Sequence, residues 1–199
     1  MAHLKDMARW RAAAPEELPE GFHYQPEFLS QTEEADLLQS FRGLEFAAYD
    51  YHGYLAKRRV VRYGVNYDIN TKQQHQSEDS IPEFLLQIRA RAAKLADLAA
   101  EDLVQAMVSE YSPGTPIGWH RDAPQFGSII GISLASACRF RLKPYRGAGK
   151  ILSLQLEPRA IYVMQGEARS GWQHSIPAVE QLRYSITFRT LLKAKRGAA

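Results

Sequence analysis

The first apolar pattern along the chain predicts a short helix with one hydrophobic face. Leu37 and Phe41 lie four positions apart, a spacing that places two side chains on the same side of a helix. Ser30 is followed three residues later by Glu33, which is the signature of a capping box. We therefore expect a helix over residues 30–41 whose apolar face packs against the rest of the fold.

A longer apolar repeat predicts a second helix from residue 82 to about residue 107. Pro82 suits the first turn of a helix, because N–H groups there make no hydrogen bond within the helix and proline lacks one. The apolar positions that recur at helical spacing after it are Phe84, Leu85, Ile88, Ala92, Leu95, Leu98 and Ala99.

Two other segments of the N-terminal half lack a helical pattern. Residues 1–19 mix Ala, Glu and Pro without a period, which predicts a loosely ordered entry segment. Residues 43–75 are rich in Tyr, Gly and basic residues and contain short alternating runs such as residues 59–63. We expect exposed β-hairpins or a lid in this segment.

From residue 104 onward, short apolar runs are separated by Gly and Pro, a texture typical of strands. The predicted strands cover residues 104–111, 127–134, 138–142, 151–156, 160–164 and 183–191. Such a series predicts a β-barrel or β-sandwich in the C-terminal half, and the fold class is α+β.

Length and composition favour one globular domain over residues 1–199. The hydrophobic fraction is 45%, the charged fraction is 24%, and no apolar run approaches the roughly 18 residues that a membrane span needs. The first ten residues lack the apolar core of a secretory signal, and Cys138 is the only cysteine. We expect a cytoplasmic protein with no membrane partner and no obligate protein partner.

The charge pattern favours an anionic partner. The net charge is +3 and the sequence pI is about 9.0. Basic residues cluster at residues 57–62, 139–146 and 193–196. Any one cluster is as compatible with a solvated surface as with a binding site.

A candidate metal site lies in the C-terminal half. His120 and Asp122 are separated by one residue, so on a strand both side chains project to the same side, and His174 can supply a third ligand. Two imidazoles and one carboxylate leave positions open on the metal, as in non-haem Fe(II) oxygenases, whereas a structural zinc site is closed by four ligands. Such a triad also occurs by chance in unrelated chains, so the neighbouring residues must show whether it binds a metal.

That context is a polar face on the last predicted strand. Arg183, Ser185, Thr187 and Arg189 alternate with apolar residues and therefore share one side. Guanidinium groups bind carboxylates through paired hydrogen bonds, so two of them on an inward face could hold a dicarboxylate by its ends. Tyr111 could add a hydroxyl; the alternative is an edge strand whose arginines face solvent.

These residues together resemble the AlkB family of Fe(II)- and 2-oxoglutarate-dependent dioxygenases, which dealkylate nucleic acids oxidatively. The resemblance covers residues 104–192, and its motifs match the following residues: metal ligands His120, Asp122 and His174; 2-oxoglutarate ligands Arg183, Arg189, Tyr111, Ser185 and Ser109. It implies a double-stranded β-helix (jelly-roll) core over residues 102–192, with N-terminal helices on one face. It also implies an N-terminal extension over residues 20–81 that carries a substrate-recognition lid, and O2 as the co-substrate.

The lid and the metal site also suggest substrate contacts. A base inside a duplex must be flipped or already single-stranded to reach a buried iron, and it is then held by aromatic rings and phosphate-binding cations. The candidates are Arg58, Arg59, Arg62, Tyr63, Tyr67 and Trp119. Two features depart from the AlkB family pattern. Ser109 and Ser185 stand where the family's bacterial prototype has asparagines. Pro124 stands where several base demethylases of the family carry an acidic residue that contacts the base.

Three functions remain open on the sequence alone. The first is oxidative demethylation of N-alkylated bases in DNA or RNA, as in alkylation damage repair, and it follows from the resemblance and the basic charge. The second is oxidation of a protein or a small molecule by the same core, which Pro124 favours. The third is a non-catalytic nucleic-acid-binding protein, against which the complete triad and both arginines argue.

Overall fold

The structure, a computed structural model, describes residues 18–51, 54–68, 73–76 and 80–192. Nearly all of the predicted entry segment and the whole C-terminal basic cluster lie outside these ranges. Among the helices of the described residues, none combines the length and the apolar character that a membrane crossing requires.

The elements follow one another in an α+β order. The strands are β1 (Phe22–Gln25), β2 (Ala47–Tyr51), β3 (Tyr54–Asp68), β4 (Gln73–Gln76), β5 (Leu103–Tyr111), β6 (Ile117–His120), β7 (Phe126–Leu134), β8 (Cys138–Pro144), β9 (Leu152–Leu156), β10 (Ile161–Met164), β11 (Trp172–Ile176) and β12 (Arg183–Leu191). The α-helices are α1 (Gln31–Phe41), α2 (Glu83–Leu95) and α3 (Gly166–Ser170).

The strands form two antiparallel sheets. The larger, eight-stranded sheet has the order β1-β10-β7-β12-β5-β3-β2, with β4 paired to β3. The smaller sheet has the order β6-β11-β8-β9. Neighbours in both sheets are mostly distant in sequence, so the chain crosses repeatedly between the sheets. This is the jelly-roll arrangement that the resemblance implies.

The larger sheet separates two hydrophobic cores. Its outer face, with Ile186 and Phe188 of β12, packs against α1 and α2. Its inner face meets the smaller sheet around Phe140 and Leu142 of β8. Alternation along each strand therefore decides whether a side chain faces the helices or the space between the sheets.

Helix α1 begins as predicted. The Ser30 hydroxyl accepts a hydrogen bond from the Glu33 N–H at 3.1 Å, and the Ser30 N–H donates to the Glu33 carboxylate at 2.8 Å. This reciprocal capping box satisfies two N–H groups that would otherwise have no partner in the helix.

The predicted end of the second helix is wrong, because α2 ends at Leu95 and not near residue 107. The chain turns at Asp97, whose φ is 54°, and β5 starts at Leu103. Strand β5 lies between β12 and β3 with both faces covered, and five of its first six residues are apolar, Gln105 being the exception. A continuous apolar run fits helical spacing as well as a strand, so the predicted helix overlapped the predicted strand over residues 104–111. The structure forms the strand there, as β5.

The segment predicted as hairpins or a lid is partly a core strand. Strands β2 and β3 form a hairpin, but β3 also pairs with β5 from Arg59 to Gly64. Gly64 has a φ of 76°, and a Cβ atom there would collide with the carbonyl oxygen of Val104. The middle of β3 is thereby fixed in the larger sheet, while its first part pairs with β2 and its last residues, Val65–Asp68, pair with β4.

Candidate metal centre and anion pocket

The space between the two sheets contains a cavity of about 470 Å³. All three predicted metal ligands and the polar face of β12 line it. A cavity of this size accommodates a small-molecule ligand of ordinary dimensions.

His120, Asp122 and His174 form a compact cluster in which one ligand atom of each lies within 4.8 Å of the others. His120 is the last residue of β6 and pairs with His174 of β11, so the two rings sit side by side with centroids 4.2 Å apart. The His120 Nδ1 atom lies 2.9 Å from the Gly118 carbonyl oxygen. When Nδ1 donates that hydrogen bond, Nε2 carries the lone pair that a metal needs.

Both histidines of the cluster are held in their neutral form. Burial, aided by the adjacent His120, lowers the pKa of His174 to about 3. Burial also lowers the pKa of His120. The 3.6 Å contact from His174 Nε2 to the Asp122 carboxylate is therefore not an ion pair at neutral pH. Two neutral imidazoles and a carboxylate are ready to bind a cation without first losing a proton.

Asp122 lies just after β6, in a loop, and not on the strand itself. Arg189 of β12 reaches this carboxylate with Nε at 2.9 Å and Nη2 at 2.7 Å, and both bonds go to Oδ1. Burial alone would raise the pKa of Asp122, but the Arg189 guanidinium holds that pKa well below its usual range. The pairing leaves Oδ2, the oxygen nearest His174, directed into the cluster.

A second arginine, Arg169 of α3, fixes the loop that carries Asp122. Its Nη2 donates to the carbonyl oxygens of Asp122, Ala123 and Phe126 at 3.2, 2.8 and 2.9 Å, and its Nε donates to that of Gly127 at 3.1 Å. Carbonyl groups in a short loop have few hydrogen-bond donors within the loop. The Arg169 guanidinium supplies such donors and thereby attaches the loop to α3. The sequence offered no signal for Arg169, because its partners are backbone atoms.

Arg183 lies at the other end of the β12 face and is only 1% exposed. Its Nε donates to the Ser133 hydroxyl at 3.1 Å, while its Nη1 is buried without a hydrogen-bond partner. The hydroxyl of Ser109 on the neighbouring strand is also buried and unpartnered. Among the described residues, no carboxylate pairs with Arg183. A buried guanidinium in that situation is costly unless an anion occupies the space beside it.

Tyr111 and Ser185 complete this pocket. Strand pairing places Tyr111 opposite Arg183, and its hydroxyl lies 3.3 Å from that of Ser185. Burial raises the pKa of Tyr111, but the cations of Arg58 and Arg183 outweigh it and lower the pKa below its ordinary value. We call the group of Arg183, Tyr111, Ser109 and Ser185 the anion pocket.

The two arginines of β12 do not serve the same partner. Arg189 is already bonded to Asp122, and its Nη1 donates to the Gln105 side chain at 2.8 Å. Arg183 and Arg189 are six positions apart, which corresponds to about 20 Å of extended strand. Arg189 thus pairs with the carboxylate of the metal cluster, whereas the Nη1 atom of Arg183 has no hydrogen-bond partner. The expectation that both guanidinium groups bind 2-oxoglutarate stays a prediction.

Tyr162 of β10 lines the cavity and was not predicted from the sequence. Its ring lies directly over Gly131, where a Cβ atom would collide with it. Burial raises the pKa of Tyr162, so the hydroxyl stays protonated. An isolated Tyr in an apolar strand looks like a packing residue, and only the fold shows that it borders the cluster.

Some of the predicted substrate contacts line the cavity and others face away from it. Arg58, Arg62 and Trp119 line the cavity. Arg59 points the other way and pairs with Glu110 at 2.6 Å, and Tyr63 is 7% exposed in the helix-side core. These two side chains are turned away from the cavity, because alternate residues of a strand face opposite sides. The Tyr67 side chain lies outside the described part of the chain.

Comparison with known proteins agrees with this geometry. The chain matches the 2OG-Fe(II) oxygenase superfamily over residues 21–189. It is 29% identical over 177 residues to the tRNA (carboxymethyluridine(34)-5-O)-methyltransferase ALKBH8 of Mus musculus, an alignment that covers 86% of this chain and 26% of that protein. It is 28% identical over 181 residues to the alkylated DNA repair protein ALKBH8 homolog of Arabidopsis thaliana, covering 79% of this chain and 51% of that protein.

The chain thus spans only about a quarter of the first relative and about half of the second. Among solved structures, that of OsALKBH1 has a TM-score of 0.69 and 17% sequence identity, and the match covers 88% of this chain and 99% of that one. At this identity the likeness concerns the fold.

Proposed function

Because the chain belongs to the 2OG-Fe(II) oxygenase superfamily as an AlkB-like member, we propose that it removes alkyl groups oxidatively from bases of nucleic acids. The predicted family, the enzyme class of 2-oxoglutarate-dependent dioxygenase and the cofactors Fe(II) and 2-oxoglutarate are confirmed by this membership. The substrate class and the residue assignments that follow are our proposal.

The residues present fit Fe(II). We assign His120, Asp122 and His174 as its ligands, since two neutral imidazoles and one ionised carboxylate within 4.8 Å form an incomplete ligand set with positions left open. In this assignment Arg189 acts on the metal through Asp122, because it engages Oδ1 and leaves Oδ2 for the ion. Partners of this kind orient a ligand and tune its basicity.

The residues also fit 2-oxoglutarate. The Nη1 atom of Arg183 and the Ser109 hydroxyl are buried without hydrogen-bond partners, so both can donate to a carboxylate. The Tyr111 hydroxyl is a third donor. We assign the anion pocket to the carboxylate of 2-oxoglutarate that lies away from the metal. When bound, Fe(II) and 2-oxoglutarate together supply the oxidation of a C–H bond by O2. The chain's part is to orient the metal carboxylate, neutralise the keto acid and exclude water.

One observation carries the choice of a nucleic-acid substrate: the cavity that contains the metal cluster opens beside both aromatic and cationic side chains. Arg58, Arg62 and Trp119 all line this cavity, and the Trp119 ring lies against Arg141 and Lys143, on the face of β6 opposite His120. Two relatives also point this way, since one is named for a modified tRNA uridine and the other for alkylated DNA repair. Incubation with Fe(II), 2-oxoglutarate and a panel of N-methylated oligonucleotides tests the proposal through formaldehyde release and mass loss. An iron-loaded, folded sample that is inert on every member would refute it.

The charge of the cavity predicts which methylated bases react. Asp122 is the only carboxylate among the described residues that line the cavity, and Arg189 already engages it. Bases that are cationic at neutral pH, such as N1-methyladenine and N3-methylcytosine, therefore find no anionic partner. We expect neutral bases, such as N1-methylguanine and N3-methylthymine, to react with at least about tenfold higher kcat/KM, because roughly 1.4 kcal/mol of repulsion suffices for that ratio.

Competition between matched oligonucleotides that differ only in the methylated base measures this preference. A preference for the cationic bases would contradict it and would require a carboxylate that enters the cavity when substrate binds.

The alternative function, oxidation of a protein or small molecule by the same core, is favoured by Pro124, which has no side chain able to hydrogen-bond a base. This alternative predicts no release of formaldehyde from any oligonucleotide, together with conversion of 2-oxoglutarate to succinate that depends on a protein or small-molecule substrate.

Arg169 provides a test of the metal loop that does not alter any proposed ligand. We expect Arg169→Met to weaken Fe(II) binding by about 10- to 100-fold, the range seen when a group that positions a metal ligand is lost. Arg169→Lys should recover only part of the affinity, since an ammonium cannot donate to four carbonyl groups in the same geometry. The measurement is Fe(II) affinity by competition with a chelator; unchanged affinity in both variants would remove Arg169 from this role.

A further inference from the structure

The predicted basic cluster at residues 139–146 is not used by the metal centre or by the anion pocket. Between Asp122 and Glu157 the chain contains no acidic residue and five basic ones. Strand β8, in the middle of this stretch, directs its apolar side chains into the core between the sheets. Its basic side chains alternate with them and therefore lie on the outer face of the smaller sheet.

Two aromatic rings organise these cations into one surface. The Trp119 ring lies under the guanidinium of Arg141, 4.9 Å from its centroid, and under the ammonium of Lys143 at 4.6 Å. The Tyr145 ring lies 3.5 Å from the Arg121 guanidinium and is 42% exposed. We call the group of Trp119, Arg121, Arg141, Lys143, Tyr145 and Arg146 the basic strip.

The basic strip is continuous with the cavity, because Trp119 and Arg121 line the cavity as well. None of its four cations is paired with a carboxylate within the described ranges; Arg141 bonds to the Ser175 hydroxyl at 3.0 Å, and Arg121 bonds to the Ser170 carbonyl at 3.0 Å. Like charges held together in this way repel one another and create a positive potential that a polyanion relieves.

We propose that the basic strip binds the sugar–phosphate backbone of a single-stranded nucleic acid and leads it to the mouth of the cavity. Alternate residues of β8, such as Arg141 and Lys143, are about 6.8 Å apart, a spacing comparable to that of adjacent phosphates in an extended strand. The Tyr145 side chain is 42% exposed, and its ring offers a base an aromatic contact that an acidic polypeptide would not use. The inference deepens the proposed function and rests on it for the reason why a strand should approach the cavity.

The test is salt-dependent binding of an unmodified, fluorescently labelled single-stranded oligonucleotide. The variant is Lys143→Gln/Arg146→Gln, and the matched control is Arg42→Gln/Lys94→Gln, which removes the same charge from exposed positions at the ends of α1 and α2. Loss of two phosphate contacts should make the log–log salt slope shallower by about 1.4 and weaken binding roughly 25-fold at about 0.1 M salt. The control should keep the wild-type slope after correction for net charge.

Two results would overturn the proposal. One is a salt slope in the Lys143→Gln/Arg146→Gln variant equal to that of the control. The other is displacement of the oligonucleotide by polyglutamate at equal charge concentration, which would identify a surface for acidic polypeptides. Turnover separates this question from the proposed function: the variant should keep wild-type activity on a free alkylated nucleoside and show a raised KM only on oligonucleotides. If wild type is inactive on every alkylated base but the two binding curves still differ, the proposed function fails and the strand-binding surface stands.

Discussion

Replacing His174 by alanine is expected to abolish iron binding and turnover. His174 is one of the three residues assigned to the metal, it is held neutral by burial, and its ring is fixed by stacking on Phe140 at 5.3 Å. Loss of a group that merely supports a ligand already costs about 10- to 100-fold, so loss of the ligand itself should exceed 100-fold in iron affinity. The measurement is metal content after dialysis against Fe(II), together with succinate production.

His23→Ala is the matched control, because His23 lies on β1 and does not line the cavity. It should retain iron and activity. Circular dichroism and thermal unfolding of both variants show whether the fold survives. A folded His174→Ala protein with full turnover would remove His174 from the ligand set.

Replacing Arg183 by glutamine is expected to raise the KM for 2-oxoglutarate while leaving iron binding intact. Truncating one member of a buried charge pair costs about 2–5 kcal/mol, which corresponds to roughly 30-fold to several-thousand-fold in affinity. The residue is 1% exposed, so solvent cannot replace the lost contacts. The effect should appear in KM for 2-oxoglutarate and not in the affinity for Fe(II), since Arg183 is not bonded to the metal cluster.

Arg183→Lys distinguishes charge from geometry. It keeps a cation but loses the planar fork, so its KM should lie between those of wild type and Arg183→Gln. Arg42→Gln, at an exposed helix end, controls for the change of net charge. Equal KM values for all four proteins would assign the keto acid to another part of the cavity.

The fold was predictable wherever local chemistry or alternation was unambiguous. The Ser30–Glu33 capping box fixed the start of α1, and the alternation of Arg183 to Arg189 correctly placed four polar residues on one inner face. The end of α2 was not predictable, because the first part of β5 is buried on both faces and only Gln105 interrupts its apolar residues. The short strand β6 was missed because four residues beside a turn carry too little pattern.

The sequence predicted which residues form the candidate site, but only part of the hydrogen bonds between them. The triad and the anion pocket came from spacing and resemblance. The bond from Arg189 to Asp122 joins strand β12 to the loop after β6, which is distant in sequence, so no local pattern contains it. The same holds for Arg169, whose partners are carbonyl groups, and for Arg59 and Tyr63, whose direction depends on which side of β3 faces the helices.

The central claim is that His120, Asp122 and His174 hold Fe(II) while Arg183 holds 2-oxoglutarate in the same cavity. An anaerobic optical titration of the Fe(II)-loaded protein with 2-oxoglutarate tests this most directly, because chelation of iron by a keto acid produces a visible charge-transfer band. We predict a saturable band with one iron per chain, absent in His174→Ala and requiring much more 2-oxoglutarate in Arg183→Gln. No band in the wild-type protein, or an undiminished band in His174→Ala, would contradict the assignment.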